Sequence, residues 1–200
     1  MALKTYDDLK AAVAKWLNRK DLTEVIPDFI RLTEAELNRA LDTRQMVETI
    51  DTAISGEDYF LPCDFGGVRS LRLNGCNGGK PLGYVTPADL DESFGTGRPR
   101  RFTITDRLVF DPKPDGIYDA RLRYRKLIKP LGEGCRCNWV LDSHPDAYLA
   151  GAVMNGFLYL EDDARASTWA SKFQAAIRDI NDADKMQSFP VKLNARGRAF

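Results

Sequence analysis

The strongest constraint in this chain is a change of hydrophobic period. Ile26, Phe29, Ile30, Thr33, Leu37, Ala40 and Leu41 recur every three or four residues, the spacing that lines one face of an α-helix. From about residue 45 the period falls to two. In "MVETIDTAI", Ile50, Thr52 and Ile54 alternate with Thr49, Asp51 and Ala53, as in a half-buried strand. After Asp142 the helical period returns, with Leu149, Ala152, Val153, Gly156, Phe157 and Leu160 in one stripe and Trp169, Phe173, Ala176, Ile177 and Ile180 in another. An apolar stripe must be buried against a second element. The order therefore predicts an α+β fold: a four-helix bundle from N- and C-terminal helix pairs, with an inserted antiparallel β-rich subdomain. The expected parts are the helical pairs 1–44 and 142–186, the β-rich 45–141, and a C-terminal arm, 187–200.

Local signals fill in this outline. Thr5 and Asp8 form a capping-box pattern ahead of Leu9, Val13, Trp16 and Leu17. Pro27 fits only a first helical turn, so 21–26 is expected to be a separate turn. The first two helices are expected to form an antiparallel hairpin. "YFLP" and "VRSLRL" read as strands, "NGCNGG" as a hairpin or loop, and "TPADLDESF" as a short helix capped by Thr86. Residues 95–127 read as a β-meander. Its last strand puts Arg121, Arg123 and Arg125 on one face and Leu122 and Tyr124 on the other.

Composition narrows the classes. The chain is 44% hydrophobic and 29% charged with zero formal net charge, which is ordinary globular usage and unlike a strongly basic nucleic-acid binder. The charge is uneven: residues 1–60 balance at −4 and residues 98–129 at +6, an asymmetry that fits either association between subunits or an ordinary solvated surface. The N-terminus has no basic-then-apolar run, and no apolar stretch approaches the length of a membrane span. Folding in a cytoplasm without membrane contact is expected. Cys63, Cys76, Cys135 and Cys137 have spacings that match no familiar zinc site. Free, mostly buried thiols are the expectation.

"DSHPDAYLAG" (142–151) holds the only histidine and collects serine, histidine and aspartate in one place. Adjacent residues do not converge as a triad does, and no G-x-S-x-G elbow is present. The segment reads as a helix start, with Ser143 as cap, Pro145 in the first turn and Asp146 meeting free N–H groups. No nucleotide, phosphate or metal motif occurs, so neither cofactor nor metal is expected. Carboxylates such as Glu161, Asp162 and Asp163 meet the residue-type requirement of a glycosidase, but capping accounts for them. "GRPRR" (97–101) is the densest basic run, a phosphate contact or a solvated turn. The tail carries Phe189, Val191, Leu193 and Phe200 among Lys192, Arg196 and Arg198, the character of a segment that docks on a neighbour or else of one that packs on its own domain or frays.

Four stretches together, "WLNRKDLTEVIPDFIRLTEAELNRAL", "YFLPCDFGGVRSLRL", "GRPRRFTITDRLVFDPKPDGIYDARLRYR" and "NWVLDSHPDAYLAGAVMNGFLYLEDDARASTWASKF", resemble the head-to-tail adaptor (connector) proteins of tailed bacteriophages, a broad group that includes the tail tubular protein A type. The resemblance runs over roughly residues 5–185. It implies a non-enzymatic structural protein of the virion neck, assembled in the host cytoplasm as a ring that matches the portal's twelve-fold symmetry. The implied partners are the portal protein, a tail, nozzle or tail-tube protein, other copies of the chain, and genomic DNA passing without sequence readout. The expected portal contacts are Phe189, Val191, Lys192, Leu193, Arg196, Arg198 and Phe200. Arg98, Arg100, Arg101, Arg121, Arg123 and Arg125 are the candidate subunit or channel surface. The alternatives are a virion peptidoglycan hydrolase of glycosidase type and a small nucleic-acid-binding module.

Overall fold

A computed structural model describes residues 3–56, 58–74, 80–90 and 95–188. The chain divides into two compact units, one from residues 1–44 and 128–200, the other from residues 45–127.

The first unit is helical. α1 (Tyr6–Leu17) opens with the expected capping box: Asp8 N donates to Thr5 Oγ1 at 3.2 Å, and Thr5 N donates back to the Asp8 carboxylate at 3.1 Å. Asn18 ends it in the left-handed conformation at φ 54°. α2 (Ile26–Ala40) follows the turn at 21–25 and carries Pro27 in its first turn. α3 (Trp139–Ser143) is a short helix capped by Asn138, whose side chain accepts from Leu141 N. α4 (Pro145–Tyr159) and α5 (Asp163–Ser188) follow.

The four-helix bundle with an inserted antiparallel β subdomain is not what the chain forms. Among the described residues there are five α-helices, and α1 and α2 do not make the expected hairpin. They touch each other little, and each packs on α4, which also carries α5. The reason lies in α4 itself. Every residue from Ala147 to Phe157 except Leu149 is buried, so this helix is apolar all round and takes the centre. Two glycines let its neighbours close in: a methyl group built on Gly156 would lie 2.6 Å from Leu17 Cδ1, and one on Gly151 would strike Thr33 and Phe173.

The helix start at 142–146 also differs from expectation. Ser143 is the last residue of α3, and His144 occupies the N-cap of α4 without a side-chain capping bond. Pro145 is the first residue of α4 as expected, because its missing N–H is no loss there.

The segment between the β-rich unit and α3 is tied to the helices by a polar strut. Leu131 N donates to the buried Glu34 carboxylate at 2.7 Å, and Tyr148 Oη donates to the same oxygen at 3.2 Å. Asn138 Nδ2 donates to Tyr148 Oη and to Lys129 O, and Ile128 N donates to Asn38 Oδ1. Burial raises the Glu34 carboxyl above its ordinary range, and burial likewise raises the Tyr148 phenol.

The described residues of the second unit form two sheets. β1 (Val47–Ile54), β7 (Tyr118–Lys126) and β3 (Phe65–Leu73) form an antiparallel sheet in the order β1-β7-β3. β2 (Asp58–Phe60), β6 (Arg107–Asp111), β5 (Arg101–Ile104) and β4 (Gly83–Tyr84) form the other, with β4 parallel to β5. Ile54, Leu71, Leu73, Leu122 and Tyr124 from the first sheet share a core with Phe102, Leu108 and Phe110 from the second. The expected meander breaks after β6: β7 leaves its sequence neighbours and pairs with β1 and β3. Its alternating Ala120, Leu122 and Tyr124 are all buried, and a central position in the other sheet covers both its edges. The "TPADL" segment is a 3-10 turn at Pro87–Leu90, with Thr86 Oγ1 donating to Asp89. Most of "NGCNGG" lies outside the described residues.

Candidate functional site

The six arginines expected to form one surface all fall in the β-rich unit, and strand register sorts them. On β7, Arg121 stands opposite Asp51 of β1 and Arg72 of β3, Arg123 opposite Thr49 and Ser70, and Arg125 opposite Val47 and Gly67. Period two puts these residues on the face away from the core. Arg121 holds Asp51 through two bonds, Nε to Oδ1 at 2.7 Å and Nη2 to Oδ2 at 3.1 Å. The pair pushes the Asp51 carboxyl down and the Arg121 guanidinium up, chiefly through the hydrogen bond. Arg72 faces Arg121 across the ladder, and like charges directly opposite are unfavourable. Together Ser70, Arg72, Arg121 and Arg123 line a hollow of about 230 Å³. This is a cationic patch on one sheet face, with Asp51 as the carboxylate at its border, suited to contacting an acidic surface.

The "GRPRR" run divides. Arg101 turns to its cross-strand partner Asp111, donating from Nε at 3.0 Å and from Nη2 at 2.5 Å. Asp111 is buried, so Arg101 serves the β-rich unit's own stability. Arg98 and Arg100 instead line a second cleft, about 320 Å³, with Lys80. Arg72 and Lys80 were not singled out from the sequence. The alternation in "VRSLRL" marks Arg72, whereas nothing in "NGGKPLG" distinguishes Lys80 from a solvated loop lysine.

The arm residues Phe189, Val191, Lys192, Leu193, Arg196, Arg198 and Phe200 lie outside the described residues. The cysteines depart from expectation: Cys63 and Cys137 are exposed and Cys135 is half-buried, all three free, with Cys135 Sγ donating to Cys137 O at 3.2 Å. They sit in loops, where no core surrounds them. Cys76 lies outside the described residues. No hydrogen bond joins Ser143, His144 and Asp146. His144 meets Trp139 edge-on, with ring centroids 6.3 Å apart. At the 161–163 acidic run, Asp162 caps Arg165 N at 3.1 Å and pairs with its guanidinium. Among the described residues, no group of three or more histidine, cysteine, aspartate or glutamate side chains is placed to hold a metal, and no helix is long and apolar enough to cross a membrane.

The candidate site of the β-rich unit is a cationic surface suited to contact with another macromolecule. The chain matches the SU10 adaptor protein family over residues 4–196, nearly its whole length, and belongs to that family. It is thus a bacteriophage adaptor, a structural protein. No curated protein matches the chain.

Proposed function

We propose that the protein is the head-to-tail adaptor of a virion: a ring of twelve copies that binds the portal, extends the DNA channel and offers the tail its platform. The observation that carries this reading is the SU10 adaptor match across residues 4–196. Ring assembly on a portal needs little affinity at any one contact, because neighbouring sites on a fixed ring raise the effective concentration for one another. The arm, 187–200, acts as the portal-binding segment and orders as it docks. Genomic DNA passes without base readout, so any contact with it is weak and falls steeply with salt.

The test is reconstitution. Purified protein is mixed with its portal and imaged by negative-stain microscopy. The expected result is an added ring at the portal's outer end. Bare portals at saturating protein would refute the reading. Deleting residues 187–200 is expected to weaken attachment while leaving the melting of both units nearly unchanged.

A further inference from the structure

The cleft beside Arg98 and Arg100 pairs an apolar floor with cationic walls. Leu73, Pro81, Leu82 and Pro99 line it together with Lys80, Arg98 and Arg100; Leu73 and Pro99 are buried and the three cations exposed, which puts apolar surface at the base and charge at the rim. Backbone bonds fix this geometry. Gly97 N donates to Lys113 O at 2.7 Å, Arg100 N to Asp111 O at 3.0 Å, Gly83 N to Arg100 O at 3.0 Å, and Leu82 N to Leu71 O at 2.8 Å. Pro99, which separates the two arginines in sequence, is buried. Among the described residues, none of the three cations pairs with a carboxylate. A phosphate backbone would require the cations alone. The apolar floor calls for an apolar side chain next to the anionic group.

The chain carries such a segment on its helical unit. The last turn of α4 exposes Leu158 at 51% and Tyr159 at 57%. Glu161 then takes φ 57° to turn the chain into α5, and both Glu161 and Asp163 face solvent. Asp162 is committed to Arg165, whereas Glu161 and Asp163 make no ion pair among the described residues. Two exposed apolar side chains followed by two unpaired carboxylates are the counterpart of the cleft in both charge and polarity.

We propose that the 158–163 turn of one copy seats in the Lys80–Arg98–Arg100 cleft of the next, as the head-to-tail contact between neighbouring subunits. This rests on the ring reading above and names the surfaces that build the ring. A contact between two different patches is heterologous, the kind that builds a ring when its rotation closes and a filament when it does not.

Charge reversal tests it. Arg98→Glu with Arg100→Glu makes the cleft acidic, and Glu161→Lys with Asp163→Lys makes the turn basic. In sedimentation velocity over a concentration series at low salt, the wild type is expected to grow beyond dimers, and less so at high salt. Each reversed protein is expected to self-associate about tenfold or more weakly, with far-UV circular dichroism and tryptophan fluorescence unchanged. Mixed one to one, the two reversed proteins are expected to associate again, because every cleft then meets a turn of opposite charge. A wild type that stays monomeric or stops at dimers overturns the proposal. So do reversals without effect, a mixture that stays apart, or self-association abolished by a short DNA duplex at physiological salt. The contact and the adaptor reading fail separately. If the Arg98→Glu, Arg100→Glu protein still adds a full ring to the portal, this contact is wrong and the adaptor reading stands. If the wild type leaves portals bare while the mixed reversals associate, the adaptor reading is wrong and the contact stands.

Discussion

The packing of α4 makes Gly151→Ala the sharpest test of the helical unit. Alanine raises helix propensity, a gain of about 1 kcal/mol over glycine. Against this, the new methyl meets Thr33 Cγ2 in overlap, with Thr33 Oγ1 and Phe173 Cε2 each at 3.0 Å. Neither neighbour is free to yield. Thr33 is β-branched and fully buried, and its hydroxyl donates to Phe29 O at 2.8 Å and accepts from Asn155 Nδ2 at 3.3 Å. Phe173 is also buried. Overpacking costs about 1–3 kcal/mol, and loosening the Thr33–Asn155 bond adds about 0.5–1.5 kcal/mol. The net is a loss of about 2 kcal/mol, a fall of about 4–8 °C in Tm for a chain of this size. Gly156→Ala is the control. The three atoms nearest its methyl all belong to Leu17, two of them the terminal methyls; with no branch at Cβ, that side chain shifts more readily than Thr33, so the expected loss is smaller than at Gly151. The assay is urea unfolding followed by tryptophan fluorescence, because Trp16, Trp139 and Trp169 all lie in the helical unit. Adding Thr33→Ser removes the clashing methyl and keeps the hydroxyl, so the double variant is expected to be more stable than the two single losses sum to, by about 1 kcal/mol. Gly151→Ala at wild-type stability, or no such coupling, would refute the packing argument.

Three further outcomes are expected. Glu34→Gln keeps an acceptor for Leu131 N and Tyr148 Oη and removes the buried charge. A carboxyl raised in the folded state binds more protons than in the unfolded chain, so its contribution is fully present below the ordinary glutamate pKa and is lost as pH rises through the folded value. The variant should therefore gain on wild type across that window and match it in acid, as read from urea midpoints at several pH values. Asp111→Ala removes a buried partner of Arg101; because Arg101 is partly exposed, the loss is about 2 kcal/mol, at or below the low end for a broken buried pair. Amide hydrogen exchange in β5 and β6 should report it while tryptophan fluorescence does not. Alkylation of native protein, mapped by mass spectrometry, should label Cys63 and Cys137 before Cys135, in line with their exposure.

Where one face of an element meets one neighbour, its pattern was readable. The stripe from Ile26 to Leu37 is buried, with Ala40 at its end left exposed, and Thr5 with Asp8 forms the capping box its spacing announces. Arg121 and Arg123 are exposed while Leu122 and Tyr124 are buried, because alternation needs only the local pleat. α4 misled for the opposite reason. Its apolar residues were read as one stripe, yet helices cover it on several sides, and a single stripe cannot report how many neighbours a helix has. Glu34 was invisible too: a lone glutamate on a helix reads as solvated until Leu131, 97 residues away, is brought to it. Ser143 was lost to α3, a helix too short to leave a period of its own.

The charged surfaces follow the same rule at longer range. Arg100 and Arg101 are adjacent and chemically identical, and the run "GRPRR" treats them alike. Register separates them: Arg101 lies opposite Asp111 and is consumed by it, whereas Arg100 borders the cleft. The same holds on the neighbouring sheet, where Asp51 engages Arg121 and no carboxylate stands opposite Arg123. A basic residue is available to a partner only if the fold has not already given it an acid, and that is decided by strands many residues apart. The unit from 45 to 127 carries equal numbers of acidic and basic residues, so its net charge says nothing about binding. Among the described residues, internal pairing joins Asp51, Asp106 and Asp111 to Arg121, Arg107 and Arg101, whereas Lys80, Arg98 and Arg100 line one cleft together. In an adaptor, whose work is done at surfaces, function is written in the residues that folding leaves unpaired.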